Sequence, residues 1–307
     1  MKTHQFFVPL MSALALAACS NPGTPETVEP ITEPTDPTPE AGVEIDALAT
    51  AIAGSWRSAE AKARDAFRHP YDTLTFFDIQ ASDTVIEIWP GGGWYSDILA
   101  PYLASGGGQF IAAVWDLEVF EGDRRERISE RIEAYKQNYA GDPETFGVLN
   151  YSAFSAQSGP LAEANSIDAV LTFRNVHNWM SGDYETKLFE DAFAALKPGG
   201  ILGVVEHRLP SSAAQDPRGR TGYVHEDFVK SLASSAGFEF VAASETNANP
   251  ADSADHPFGV WTLPPASRQT DREGNTPDGF DPQLYLEIGE SDRMTLLFKK
   301  PELEDAD

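Results

Sequence analysis

The chain has 307 residues, of which 48 are acidic and 22 are Lys or Arg, so its formal net charge is −26 at pH 7. With 41% hydrophobic residues, the composition supplies a core and excludes a wholly disordered chain. The acidic balance argues against a nucleic-acid partner and against a broad electrostatic membrane-binding face, because both need clustered Lys and Arg. The single cysteine, Cys19, excludes an intramolecular disulfide and a cysteine-based zinc site.

Residues 1–18 have the layout of a secretory signal peptide. Lys2 supplies the positive charge, and residues 6–18 form an apolar stretch too short to span a bilayer as a helix. The stretch ends in Leu-Ala-Ala-Cys at residues 16–19, which resembles the lipobox of bacterial lipoproteins, where the peptide is cut before the cysteine and the thiol is acylated. A signal peptide with a chance cysteine is the alternative. Because Ser20 follows, the resemblance to Gram-negative lipoproteins predicts an outer-membrane lipoprotein facing the periplasm.

The segment after Cys19 has the composition of a tether. Residues 20–46 contain six prolines, five threonines, seven acids and no Lys or Arg, so they bury nothing and are expected to be disordered. We therefore divide the chain into a signal peptide (1–18), a lipidated cysteine with an acidic tether (19–46), a folded domain (47–300) and an acidic tail (301–307).

The folded part alternates short apolar runs with helical segments. Strands are predicted at 84–88, 110–114, 146–150, 168–173, 201–206, 238–243 and 293–299. Helices are predicted within 48–67, near 72–77, and at about 95–103, 121–139, 183–196 and 225–236, whereas residues 262–290 are rich in Pro, Gly and Asp and are predicted to be a long loop. This alternation predicts an α/β fold with a doubly wound, Rossmann-like, mostly parallel sheet.

A glycine-rich turn joins the first predicted strand to the next helix. Gly91, Gly92 and Gly93 let a ligand approach the backbone, and the helix that follows presents free N–H groups. Asp116 ends the second strand, where a carboxylate can accept the hydroxyls of a ribose. The dinucleotide fingerprint is not met, because Ser96 stands at its last glycine. These features indicate an adenosine-like ligand; the alternative is a turn whose glycines serve only the bend.

The second half of the chain carries a more specific pattern. Leu-Lys-Pro-Gly-Gly at 196–200 leads into a strand, and Ser-Ala-Gly-Phe at 235–238 leads into another. With the glycine turn, this resembles class I S-adenosylmethionine-dependent methyltransferases over about residues 57–300. The segments EIWPGGGWY from Glu87, FRNVHNW from Phe173 and DRMT from Asp292 are similar to a smaller group of exported predicted methyltransferases. The resemblance implies seven strands with an antiparallel last strand and S-adenosylmethionine as cofactor.

The resemblance also implies roles for the turn residues. Glu87 and the three glycines would hold the methionine part of the cofactor, and Asp116 would hold its ribose. Trp89 replaces the family's first loop glycine, so its indole either fills the cofactor's place or packs away from it. Because Pro90 favours an extended backbone at Trp89, we expect the indole to pack against Trp94 or the first helix.

Four of the six histidines lie near the ends of predicted strands or helices on the expected ligand side: His177, His207, His225 and His256. The topology places His177 and His207 near the methyl donor, where a neutral imidazole can deprotonate the acceptor. Each histidine could instead have only a structural role. A third reading, a metal site that includes Asp252 or Asp255, has no support from ligand spacing, so we predict no metal.

Five further residues are candidate ligands for anions. Arg174 and Asn175 could hold a carboxylate of substrate or cofactor, or could form a helix-capping turn. Arg57, Arg64 and Arg68 recur on one side of a predicted helix, where they could bind an anionic substrate. We expect instead that these three pair with surface acids.

Together these features predict an S-adenosylmethionine-dependent methyltransferase that acts on a small molecule or an envelope component. Its contact with the membrane is predicted to run through the lipid on Cys19 alone. The alternative is a non-catalytic binding lipoprotein of the same Rossmann-like fold, in which Trp89 has altered the donor pocket.

Overall fold

A computed structural model describes residues 46–302. The signal peptide, Cys19, almost all of the tether and the last five residues of the acidic tail lie outside the described residues. Within 46–302, no helix combines the length and the apolar character needed to cross a bilayer.

The described chain alternates strands and helices. The strands are β1 Thr84–Ile88, β2 Gln109–Trp115, β3 Asn150–Phe154, β4 Ile167–Phe173, β5 Leu196–His207, β6 Glu239–Ser244, β7 Pro257–Val260 and β8 Arg293–Lys299. The helices are α1 Ala47–Ala53, α2 Ala59–Ala63, α3 Asp65–Arg68, α4 Pro70–Phe76, α5 Ser96–Gly106, α6 Gly122–Ala140, α7 Pro143–Phe146, α8 Val176–Ser181, α9 Glu185–Ala195, α10 Glu226–Ser235 and α11 Pro282–Ile288, with a 3-10 turn at Leu117–Val119.

Seven strands form one sheet in the order β3-β2-β1-β4-β5-β8-β6. Six of them run parallel, and β8 lies antiparallel between β5 and β6. The predicted fold class, with its antiparallel last strand, is therefore confirmed. The strand order reverses between β1 and β4, and ligands of open α/β sheets bind at the carboxyl ends of the strands beside such a reversal.

Both faces of the sheet are covered by helices. Helices α8, α9 and α10 pack on one face with buried side chains such as Trp179, Phe189 and Val229. Helices α1, α4, α5 and α6 cover the other face with side chains such as Leu74 and Leu99. Because β1 and β4 are buried on both faces, their sequences are almost continuously apolar, which made them predictable.

The third strand lies four residues later than predicted, at Asn150–Phe154. The segment before it forms the short helix α7, because Pro143 suits a first helical position and the Asp142 carboxylate accepts the N–H of Thr145 at 3.1 Å. Phe146, predicted to begin the strand, instead ends this helix with its ring buried.

Three further short elements were not predicted. Helix α8 follows β4 directly, and strand β7 lies between β6 and the expected long loop. That loop, residues 262–290, contains helix α11, which begins at Pro282 and is capped by the Asp281 carboxylate. The same Pro and Asp residues that indicated a loop are thus the start signals of a helix.

Candidate cofactor and acceptor site

Two cavities lie side by side at the carboxyl ends of the parallel strands, with volumes of about 620 and 530 Å³. Both volumes fall in the roughly 300–1,000 Å³ range of small-molecule sites. We call the larger one the arginine cavity; its polar lining includes Arg64, Arg68, Arg174, Arg293, His177 and His207. We call the smaller one the Asp116 cavity; its lining includes Trp115, Asp116, Phe154, Ser155 and Tyr184. Trp89, Asn175 and Asn178 line both.

Glu87 is buried near the end of β1 and lines the arginine cavity. Ser96 donates its hydroxyl to the Glu87 carboxylate at 2.7 Å, and Tyr135 donates in turn to the Ser96 oxygen at 2.8 Å. Burial raises the pKa of Glu87 to about 8, so the carboxyl is largely protonated at neutral pH. A cationic group in the cavity would favour the ionised form.

The three glycines of the turn have two different tasks. Gly91 and Gly92 line the arginine cavity, and a Cβ built on either meets no atom within 4 Å. They therefore leave open space beside the backbone, as a ligand cradle requires. A Cβ on Gly93 would lie 2.2 Å from the Tyr139 hydroxyl, and its φ is +87°. Gly93 thus lets α6 pack against the turn and is not among the cavity residues.

Trp89 forms the wall between the two cavities. Its ring centroid lies 5.9 Å from that of Trp115, 6.1 Å from Phe154 and 5.8 Å from Trp179. The indole N–H donates to the Phe154 carbonyl at 3.1 Å. The expected contact with Trp94 or the first helix is wrong, because the apolar ends of β2 and β3 supply a better-matched surface.

The backbone of Trp89 also differs from the expectation. Its φ is +48°, in the left-handed region, rather than extended as Pro90 suggested. The turn places Trp89 in the left-handed region, and its aromatic packing holds a conformation that costs about 1–2 kcal/mol for an L-residue.

Asp116 lies at the end of β2, half-buried at the edge of its cavity. One carboxylate oxygen accepts the N–H of Glu118 at 3.0 Å, and the other accepts the hydroxyl of Ser155 at 2.9 Å. These bonds orient the carboxylate and leave lone pairs for further donors. The position suits the predicted ribose contact.

The two residues after β4 are placed differently. The Asn175 side chain donates to the Ile88 carbonyl at 3.0 Å, so it ties the ends of β4 and β1 together and supports the glycine turn. Arg174 has φ +62°, and it forms no salt bridge with any acid of residues 46–302. Burial and the nearby Arg293 lower its pKa to about 10, and it lines the arginine cavity.

His177 forms a dyad with a residue that sequence analysis missed. The His177 Nδ1 lies 3.1 Å from a carboxylate oxygen of Glu206, which is fully buried in β5. The N–H groups of Val176 and His207 donate to Glu206 at 2.6 and 2.8 Å, so its orientation is fixed. When Nδ1 carries the proton, Nε2 is free to accept one. The acidic Glu206 directly after the apolar run 201–205 was the sequence signal that could have marked it.

His207 lies beside this dyad, with its ring centroid 5.5 Å from that of His177. Its Nδ1 is 2.5 Å from the Ser291 hydroxyl, and burial, together with the neighbouring His177, lowers its pKa. Of the other histidines, His225 contacts the Pro210 carbonyl and His256 pairs with Asp252 at 2.8 Å. Neither lines the two cavities.

The structure brings three groups together that could ligate a metal. Ligand atoms of His177, Glu206 and His207 lie within 4.8 Å of one another, whereas neither Asp252 nor Asp255 belongs to such a group among residues 46–302. Both Glu206 oxygens already accept backbone N–H groups, which suits a carboxylate that orients His177. The absence of a metal stays a prediction.

Two of the three arginines in the N-terminal helical region have a buried partner, so the expected pairing with surface acids is wrong for Arg64 and Arg68. Arg64 and Arg68 both donate to Glu290, at 2.6 and 3.0 Å, and Glu290 is 2% exposed. Arg57 pairs with Asp65 at 2.6 Å and lies outside the cavity lining. Glu290 comes from the expected loop, and nothing in the sequence marked it.

Known proteins give support at the level of the fold. No known family profile matches the chain, and no curated protein matches it. A putative sarcosine dimethylglycine methyltransferase from Galdieria sulphuraria is similar in structure, with TM-score 0.50, 15% identity and coverage of 80% of this chain and 87% of that one. An S-adenosylmethionine-dependent methyltransferase from Methanosarcina mazei is similar with TM-score 0.44 and 15% identity, and the match covers 75% of this chain and 97% of that one. The 4+2 cyclase SpnF is similar with TM-score 0.49 and 16% identity, and the match covers 83% of this chain and 92% of that one. The chain has the Rossmann-like fold of S-adenosylmethionine-dependent methyltransferases.

Trp89 gives a prediction that separates packing from backbone strain. Trp89→Gly and Trp89→Ala both lose the aromatic contacts, so each should lower the free energy of unfolding by about 2–4 kcal/mol. Glycine tolerates φ +48°, so the Gly variant should be about 1 kcal/mol more stable than the Ala variant. Urea denaturation measures both. If Ala is the more stable of the two, as at an ordinary extended position, the left-handed backbone is contradicted.

Glu87 gives a prediction about pH. Its pKa is about 8 in the folded chain, against an ordinary 4.5. The contribution of the protonated Glu87 to folding stability is therefore fully present below about pH 4.5 and is lost as the pH rises toward 8. Glu87→Gln removes that loss. The variant should gain on the order of 1–3 kcal/mol over the wild type between about pH 5 and pH 8. Denaturation at several pH values checks this, with the exposed Glu130→Gln as control; parallel curves for Glu87→Gln and wild type would contradict the buried neutral carboxyl.

Proposed function

We propose that this protein is an S-adenosylmethionine-dependent methyltransferase whose cofactor bridges the two cavities. The adenosine part would lie in the Asp116 cavity, and the methionine part would pass over the glycine turn into the arginine cavity. The observation that carries the proposal is the juxtaposition, at the strand-order reversal, of the open cradle at Gly91 and Gly92 with the oriented carboxylate of Asp116.

The residues present fit this cofactor. Asp116 has acceptor capacity left for ribose hydroxyls, and the cradle leaves room for a chain that passes close to the backbone. Glu87 can ionise beside an ammonium group, because a nearby cation lowers the pKa of a buried carboxyl. When bound, S-adenosylmethionine supplies an electrophilic methyl group on a sulfonium.

The chain's own chemistry centres on His177. With Nδ1–H directed to Glu206, the Nε2 lone pair is available to take a proton from the acceptor as it becomes a nucleophile. The buried Glu206 carboxylate then stabilises the imidazolium that forms. His207 stays neutral, because burial and His177 lower its pKa, and it adds a second imidazole to the acceptor wall. Trp261 packs edge-on against His177, with ring centroids 5.9 Å apart, and lines the same cavity.

We also propose that the enzyme works at the cell envelope, anchored through an acyl chain on Cys19, on a small molecule or an envelope component. The lipobox-like segment before Cys19 and the acidic, Pro- and Thr-rich residues 20–46 support this arrangement.

The cofactor assignment predicts a measurable loss on Asp116→Ala. Removing the carboxylate should weaken the binding of S-adenosylmethionine and S-adenosylhomocysteine by about 1.5–3 kcal/mol, or roughly 10–100-fold in Kd. Isothermal titration calorimetry of the full chain measures this. Asp123→Ala, at an exposed position in α6, is the matched control and should bind as the wild type does. A wild-type protein that binds neither compound would refute the proposed function.

The anchor predicts that Cys19→Ser abolishes incorporation of a radiolabelled or clickable fatty acid in a Gram-negative host, because no other thiol is present. Fractionation should move the variant out of the outer membrane. Labelling of the variant at the wild-type level would show that the lipid, if any, is elsewhere.

A further inference from the structure

Four guanidinium groups share one cavity. Arg68 and Arg293 are 2% exposed, and Arg64 and Arg174 are half-buried. All four line the arginine cavity, together with the candidate base His177. Four cations in one confined space repel each other strongly, so the structure needs negative charge among them.

Glu290 provides one negative charge and is shared by three of the arginines. Arg64 and Arg68 donate to it through Nε, and Arg293 through Nη2. Arg174 makes no salt bridge with any residue of 46–302. The single carboxylate of Glu290 therefore offsets only one of the four positive charges.

The other acids that line this cavity are engaged elsewhere. Glu60 is exposed on α2, Asp97 accepts the Tyr139 hydroxyl at 2.8 Å, and Glu87 accepts the hydroxyl of Ser96. None of them forms a salt bridge with an arginine of the cavity within the described part of the chain.

Several guanidinium nitrogens are buried without a partner. They are Arg64 Nη2, Arg68 Nη1, Arg68 Nη2 and Arg293 Nε, each without a hydrogen bond to any atom of residues 46–302. A buried N–H without an acceptor costs about 1–3 kcal/mol, and more on a charged group. Arg68 carries two such nitrogens, and its guanidinium carbon lies 4.7 Å from the Trp94 ring centroid, a contact that helps to hold the group in place.

We propose that the arginine cavity binds an acceptor that carries two negative charges, on carboxylate or phosphate groups. The inference rests on the proposed function, because it names the acceptor of that site. The cofactor cannot balance the arginines by itself: its carboxylate adds one negative charge, but its ammonium and sulfonium groups add two positive ones. A planar fork such as Arg68 matches two oxygens of a carboxylate or phosphate.

The experiment titrates the full chain with succinate and, separately, with inorganic phosphate by calorimetry, in a buffer free of other carboxylates and phosphates. Each titration is repeated with saturating S-adenosylhomocysteine. We expect at least one anion to bind in both conditions, and the uncharged succinamide not to bind. Arg68→Met should raise the Kd of the anion about 10-fold or more, because the substitution removes hydrogen bonds from a charged group.

Arg64→Met tests the same site at a half-buried position, where folding is less at risk, and should also weaken the anion. Arg125→Met is the matched control, since Arg125 pairs with Glu118 on the surface. Binding that is unchanged in the Arg64 and Arg68 variants, or absent for both anions, overturns the inference.

Displacement of the anion by S-adenosylhomocysteine also overturns the inference, because the arginines would then hold the cofactor's carboxylate. Failure of the proposed function looks different: succinate or phosphate would bind, but S-adenosylmethionine would not.

Discussion

The shared salt bridge of Glu290 is the interaction on which the candidate site depends. It joins Arg64 and Arg68, near the start of the described chain, to Arg293 in the last strand, and Arg64 and Glu290 are 226 residues apart in sequence. A buried guanidinium is costly unless it is paired, so the N-terminal helices and β8 must stay together for these arginines to be buried. The three arginines that this contact holds together line the arginine cavity with Arg174, so Glu290 leaves an excess of positive charge there.

Two buried carboxyls, near the carboxyl ends of β1 and β5, have different environments. Glu87 in β1 receives only the Ser96 hydroxyl, so burial dominates and its pKa rises to about 8. Glu206 in β5 receives backbone N–H groups and the imidazole of His177, all of which are donors to a carboxylate. One carboxyl can therefore respond to a cation in the cavity, while the other orients the imidazole of His177, the proposed base. Environments that differ in this way are how one fold supports acid–base chemistry near neutral pH.

The sequence predicted those features that depend on local pattern. The buried strands are mostly apolar, and the turn after β1 is marked by glycines. Asp116 directly follows β2 and His177 lies four residues after β4, so all of these could be placed. Contacts between distant segments could not. The pairing of His177 with Glu206 and of Arg68 with Glu290 depends on which strand ends and loops meet, and the left-handed Trp89 depends on packing against β2 and β3. Neither kind of information is present in the neighbouring residues.

A crystal structure of the full chain with S-adenosylhomocysteine tests the central claim most directly. The account predicts the ribose hydroxyls within hydrogen-bond distance of the Asp116 carboxylate and the amino-acid tail over Gly91 and Gly92. It also predicts that the two terminal nitrogens of Arg68 are left uncontacted by the ligand. A ligand bound outside these two cavities, or a homocysteine carboxylate seated on the Arg68 fork, would contradict it.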